Sequence, residues 1–266
     1  MASLECYAFR KSEEGRGVRY ETMEEHVEGM LKYLGEIWEY KAFLSKYEKL
    51  LGVERDIIDS LIRLAIVLHD FGKATRDFQE RCHIGDCEQF PYHYAISARL
   101  AMRLVEELKV PRVGELSKLP SYKPPFGALY VSIVVLPILL HHYAWITEES
   151  LVQAIEETKI INEVEIYEPC RALYIRELER LKRPSKASHE LAKVVEHALE
   201  VLTRGNKVKL ASLPFNRIDE LVSVHGKISP LLTLVEASTG IINICDGRVA
   251  WRNRVERSKG LTNSSY

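Results

Sequence analysis

The sequence has almost no net charge. Its 37 Lys and Arg against 38 Asp and Glu leave a formal charge of −1 over 266 residues. No global field announces nucleic acid, so any basic surface has to be local. Cysteine is sparse and odd in number: five, with only Cys82 and Cys87 near one another in the chain. With no signal-peptide pattern at the N-terminus, this leads to the expectation of a reducing, intracellular and cytoplasmic setting. Long hydrophobic runs are missing too. FGALYVSIVVLPILL, residues 126–140, is interrupted by Pro137 and falls short of the roughly 20 residues a membrane span needs. It reads as a buried core helix, and no membrane partner is expected. Nothing matches GxxxxGKS or GxxxxGKT, so no P-loop nucleotide site is expected. No internal repeat or low-complexity tract stands out.

What is present is helical periodicity. With 46% hydrophobic and 28% charged residues, the composition is that of a folded globular chain. From Tyr20 to Leu50, Met23, Val27, Met30, Leu31, Leu34, Ile37 and Trp38 recur at threes and fours, which predicts one long helix. Asp56 to Leu68 predicts a second, capped by Asp56. Pro91 to Leu108 predicts a third. Residues 111–125 hold four of the ten prolines and read as a loop. Ala128 to Trp145 predicts a helix kinked at Pro137. Further helices are expected over 148–158, 170–181, 188–202 and 231–252, with a short strand in LECYAF. The whole reads as one all-α domain, 1–266, with 253–266 a frayed tail.

Polar residues interrupt the apolar faces in a pattern. LIRLAIVLHDFGKATRDFQ, residues 61–79, ends its apolar run on His69 and Asp70. His26 lies on the stripe of Met23 and Met30. His93 leads Ile96 and Leu100, His141 and His142 end the fourth helix, and Asp246 lies between Ile242 and Val249. Any one of these suits an ordinary hydrogen-bonded core residue. Five histidines and two aspartates aimed inward from five helices are too many polar groups for a core to leave unpaired. Divalent metal satisfies them together: neutral imidazoles suit Mn, Fe, Co, Ni or Zn, and a carboxylate can bridge two ions. Seven side chains exceed the needs of one tetrahedral site, which favours two metals.

The order His26, His69-Asp70, His93, His141-His142, Asp246 resembles the HD superfamily of metal-dependent phosphohydrolases. HDFGKATRDFQ at 69–79, HYAISA at 93–98, HHY at 141–143 and ICDGRVAWRNR at 244–254 resemble, more narrowly, the HD nuclease of type I CRISPR interference. Many relatives carry a helicase in the same chain. Without a P-loop, this chain resembles the stand-alone nuclease subunit, which works with a separate helicase and a guide-RNA surveillance complex. Tyr143 stands where glycine is frequent, and Trp251 and Asn253 where smaller or basic residues are common.

The resemblance implies an HD-superfamily helical fold with its metal site in the bundle core. It implies one ion held by His26, His69, Asp70 and Asp246, and a second by Asp70, His93, His141 and His142, with Asp70 shared. Mg is a further possible metal. The implied activity is hydrolysis of phosphodiester bonds in single-stranded DNA, with Asp70 and Lys73 as catalytic residues. Lys73 has an alternative as a helix-end surface lysine. Candidate substrate contacts are Lys73, Tyr143, Trp145 and Arg248, the two aromatics as stacking platforms or core residues. Residues 171–209 carry ten Lys or Arg against five Asp or Glu and suit a phosphate backbone or a solvated helix face. RCHIGDC at 81–87 offers Cys82, His83 and Cys87 with no fourth ligand, too few for structural zinc. A nucleotide phosphohydrolase, such as a deoxynucleoside triphosphatase or a cyclic-nucleotide phosphodiesterase, and a metal-stabilised docking scaffold are the competing readings.

Overall fold

The computed structural model describes residues 5–13, 17–85, 87–142, 147–182, 188–215 and 229–256. Its architecture is all-α, with two small two-stranded sheets at the margins. The chain opens with a hairpin, β1 (Tyr7–Glu13) antiparallel to β2 (Gly17–Thr22), which takes the strand expected in LECYAF further along the chain.

The single helix expected over Tyr20–Leu50 is in fact a strand end and two helices, α1 (Met23–Glu36) and α2 (Trp38–Leu51). Thr22 starts α1 through a capping box with Glu25, which fixes the boundary to one residue. Ile37 breaks the pair by turning extended, with ψ 133°. The break rotates the buried face, so Trp38 is 70% exposed while Tyr40, Phe43, Leu44 and Tyr47 are buried.

The third helix, α3 (Arg55–Leu68), carries the central apolar run. Leu61, Ile62 and every residue from Leu64 to Leu68 are buried, giving a helix apolar on nearly all sides. Asp56 does not cap it: Glu54 occupies that position and makes no side-chain cap bond, while Asp56 lies in the first turn, where its charge complements the helix dipole. His69 closes the helix, and Phe71–Ala74 follows as one 3₁₀ turn. This turn lies against the start of α5 (His93–Arg103) at the closest backbone approach of the site. A Cβ on Gly72 would stand 2.2 Å from the His93 carbonyl oxygen. Ser97 Oγ accepts the Gly72 N–H at 2.8 Å and pins the two together. Between them runs α4 (Arg76–Ile84). The helix expected to reach Leu108 ends at Arg103.

Residues 126–140 form one buried rod of α6 (Phe126–Tyr130), a π-helical segment (Val131–Val135) and α7 (Leu136–Leu140). Pro137 lacks an N–H, and its ring crowds the carbonyl four residues back, at Ile133. The wide π turn around Ile133 accommodates this where a simple kink was expected. Then come α8 (Glu148–Lys159), β3 (Glu163–Glu165), α9 (Glu168–Leu181), α10 (His189–Thr203) and β4 (Lys207–Lys209), with β3 and β4 antiparallel. The longest helix, α11 (Pro230–Trp251), packs along α1 and ends in a π turn, Arg252–Glu256. The tail is therefore ordered further than expected: Asn253 is buried. Residues 257–266 lie outside the described residues.

The expected reducing setting would leave the cysteines free, but four of the five are paired. Cys6 and Cys170, 164 residues apart, form a disulfide, as do Cys82 and Cys87; Cys245 is free and buried. The fold brings together Cys6 and Cys170, whose spacing in sequence gave no hint of it. The second bridge also disposes of zinc at RCHIGDC. Among the described residues, no helix is long and apolar enough to cross a membrane.

Candidate metal centre

Five helices deliver polar side chains to one place. His26 comes from α1, His69 and Asp70 from the end of α3, His93 from the first residue of α5, His141 and His142 from the end of α7, and Asp246 from α11. His26, His69, Asp70 and His141 are essentially sealed from solvent, and His93 nearly so.

Asp70 is the centre. Its Oδ2 lies 3.4 Å from His69 Nε2 and 3.6 Å from His26 Nε2. Its Oδ1 lies 3.1 Å from His93 Nε2 and 3.7 Å from His141 Nε2. Each carboxylate oxygen thus faces its own pair of imidazoles. His142 joins the second group, its Nε2 3.0 Å from that of His93. Asp246 joins the first through Oδ1, 3.3 Å from His26 Nε2. Two sets of donor atoms result that could each hold a metal ion: His26, His69 and Asp70, and Asp70, His93, His141 and His142.

The outer nitrogens are already committed. His69 Nδ1 hydrogen-bonds to the Ile66 carbonyl at 2.7 Å, His93 Nδ1 to that of Phe90 at 2.5 Å, and His141 Nδ1 to that of Ile138 at 2.6 Å. A ring nitrogen facing a carbonyl must carry the proton, so each Nε2 is left to present a lone pair inward. Inward lone pairs that face one another and a carboxylate repel unless a cation lies between them. Asp70 Oδ1 and His141 Nε2 are buried and make no hydrogen bond, an arrangement that costs free energy in a folded protein. The donor set fits a divalent metal.

The electrostatics agree. Burial pushes His93 down to about 4, helped by the Lys73 ammonium, so its imidazole is neutral at physiological pH. Burial and the neighbouring His141 and His93 rings push His142 to about 2. At the other end, burial opposes charge on His26, but the Glu21 carboxylate and Asp246 outweigh it and raise His26 to about 9. Burial also opposes charge on Asp70, yet the neighbouring His69 ring and the Lys73 ammonium hold its carboxyl well below the usual range.

Lys73 is not a surface lysine. It is 7% exposed, its Nζ is 2.6 Å from Asp70 Oδ2, and it lies over the Phe90 ring. Arg248 is exposed on α11, two residues past Asp246, with its guanidinium over the Trp251 ring at 5.0 Å. Tyr143 and Trp145 lie outside the described residues. Among the described cations of 171–209, Arg171 pairs with Glu168, Arg176 with Glu24, Arg180 with Glu28 and Glu177, and Arg204 with Glu200; residues 183–187 lie outside the described residues. Sequence reasoning missed Glu21, fully buried at the end of β2, whose Oε1 accepts from His26 Nδ1 at 2.9 Å. Its only signal was a carboxylate beside a capping threonine, five residues before a histidine on an apolar face.

A bundle of helices closed around a His–Asp pair, with histidines from the flanking helices turned toward it, defines an HD-type metal-hydrolase core. Residues 10–114, less than half of the chain, match the family model described as Cas3, HD domain, which supports a Cas3-type HD domain of the HD superfamily in this segment. The match supports a metal-dependent HD-type hydrolase of CRISPR systems. The match contains His26, His69, Asp70, Lys73 and His93, and stops before His141, His142 and Asp246. No curated protein matches the chain.

Proposed function

We propose that the chain is a nuclease that hydrolyses phosphodiester bonds of single-stranded DNA in CRISPR interference, in the cytoplasm, alongside a separate helicase and a guide-RNA surveillance complex. The reading extends the Cas3-type HD match to a full site of His26, His69, Asp70, His93, His141, His142 and Asp246. One observation carries it: the two oxygens of Asp70 face two separate histidine groups, the disposition of a carboxylate shared by two ions. His26, His69, Asp70 and Asp246 would hold the first ion, and Asp70, His93, His141 and His142 the second.

Two divalent cations supply, when bound, an activated water and charge stabilisation on both oxygens of an in-line displacement at phosphorus. The chain's own contribution is placement. The backbone carbonyls of Ile66, Phe90 and Ile138 hold three imidazoles in the tautomer that presents Nε2 inward. Burial keeps His93 and His142 unprotonated, so no proton competes for those nitrogens at neutral pH. Lys73, beside Asp70, places a positive charge where a phosphate oxygen gains negative charge. Arg248, exposed on the helix that carries Asp246, would meet a strand backbone outside the site.

The test uses purified, metal-stripped protein resupplied with Mn²⁺, Co²⁺, Ni²⁺ or Mg²⁺. Single-stranded DNA, duplex DNA, RNA and free nucleotides are offered in turn. Cleavage of single-stranded DNA, abolished by Asp70→Ala, is the expected result. Turnover of nucleotides with DNA untouched would replace this reading with a nucleotide phosphohydrolase. A folded protein inert with every metal would leave a docking scaffold.

A further inference from the structure

Behind the His26 end of the site lies a buried carboxylate that neither the ligand set nor the reaction uses. Glu21 is fully buried and has three partners from two ends of the chain. Its Oε1 faces His26 Nδ1 at 2.9 Å and accepts from Asn253 Nδ2 at 2.8 Å. Its Oε2 accepts from Arg254 Nε at 2.6 Å. The Arg254 guanidinium also lies 4.8 Å from the centre of the Phe9 ring, on the strand residue paired with Glu21. Asn253 and Arg254 belong to the π turn that ends α11, the helix that carries Asp246.

The other histidines with a committed Nδ1 use a backbone carbonyl of their own helix or of the turn beside it. His26 alone among them uses a side chain, and that side chain is tied to a different helix. A charged acceptor does two things a carbonyl does not. It makes the imidazole more electron-rich at Nε2, and it transmits the position of whatever else it binds.

We infer that Glu21 is a positioning residue for the first metal site, locking the tautomer and ring orientation of His26 while fastening α1 to the end of α11. The His26–Asp246 separation of 3.3 Å is then set by this clamp. Asn253 and Arg254 of WRNR orient Glu21. The inference rests on the reading of His26 and Asp246 as metal ligands.

The experiment is Mn²⁺ titration of the full chain by calorimetry, with Co²⁺ absorption spectra as a second signature and thermal melting as the control for folding. The wild type is expected to bind two ions. Glu21→Gln keeps the shape but removes the charge. It should weaken one of the two ions about 10–100-fold and leave the other unchanged. Its Co²⁺ spectrum should change in the band of the weakened ion alone. Arg254→Ala, at a partly exposed position, should weaken the same ion by a smaller factor with folding intact. Should Glu21→Gln fail to fold, Arg254→Ala decides. Two ions of wild-type affinity and an unaltered Co²⁺ spectrum in the folded variants would overturn the inference and leave the proposed nuclease standing. Equal weakening of both ions would also overturn it. A wild type that binds no ion would refute the metal reading itself, a separate outcome.

Discussion

Replacing Gly72 by alanine tests how the fold sets the spacing of the site. Gly72 lies in the turn between Asp70 and Lys73, hard against the first residue of α5. An added Cβ would stand 2.2 Å from the His93 carbonyl oxygen and 2.8 Å from the His93 Cα. Real Cβ contacts essentially never fall under 3.0 Å, so the turn and α5 must part by about 0.8 Å or more. Both neighbours are backbone, so no side chain can swing aside. The φ of Gly72 is not in the left-handed region, so the effect is one of contact rather than backbone strain. Overpacking of this kind costs about 1–3 kcal/mol. The same separation pulls His93 Nε2 from Asp70 Oδ1, now 3.1 Å apart. A displacement of about 1 Å in reacting groups can cost on the order of 100-fold in rate. Gly72→Ala should therefore lower the denaturation midpoint and weaken Mn²⁺ binding at the His93 end. Chemical denaturation and calorimetry measure the two effects. Wild-type stability together with wild-type metal affinity would refute the reasoning.

Other expectations follow from the same geometry. Asp70→Asn should abolish binding of both ions at micromolar metal, since one carboxylate faces both histidine groups; retention of either ion in a metal count would contradict this. Metal binding near pH 7 should release a proton from His26, which is held at about 9 in the metal-free protein. Binding at that end should strengthen as pH rises toward 9 and then level off, because the metal competes with a proton that is lost in that range. His93 and His142, pushed down to about 4 and 2, should contribute nothing to this release, and calorimetry in buffers of different ionisation enthalpy reads the difference. Reduction should destabilise the protein: the Cys6–Cys170 bridge closes a loop of 164 residues, worth about 5 kcal/mol on the loop-entropy account. Cys6→Ser melting at the same temperature as the oxidised wild type would count against that bridge.

Two disulfides link Cys6 to Cys170 and Cys82 to Cys87. The Cys6–Cys170 pairing was not legible in the chain, because a link across 164 residues depends on the tertiary fold alone, whereas Cys82 and Cys87 already stood out as neighbours. The His–Asp centre was legible because it breaks a rule: polar side chains recur on faces that the helical period marks as buried. The same period hid the division between α1 and α2, since Leu34, Ile37 and Trp38 continue the apolar spacing across the break. Only the extended backbone of Ile37, invisible to a pattern of residue types, sends Trp38 outward. Lys73 reads equally as a catalytic residue or a helix-end surface lysine; the 3₁₀ turn folds it back over Asp70, away from the surface. Glu21 escaped notice because its partners, His26, Asn253 and Arg254, meet only when the two ends of the chain pack together.

The central claim is that Asp70 is shared by two ions. The most direct measurement is anomalous diffraction from crystals soaked in Mn²⁺. The account expects two peaks, one beside each Asp70 oxygen: the first among His26, His69 and Asp246, the second among His93, His141 and His142. A single peak at saturating Mn²⁺, or two peaks of which only one touches Asp70, would contradict it.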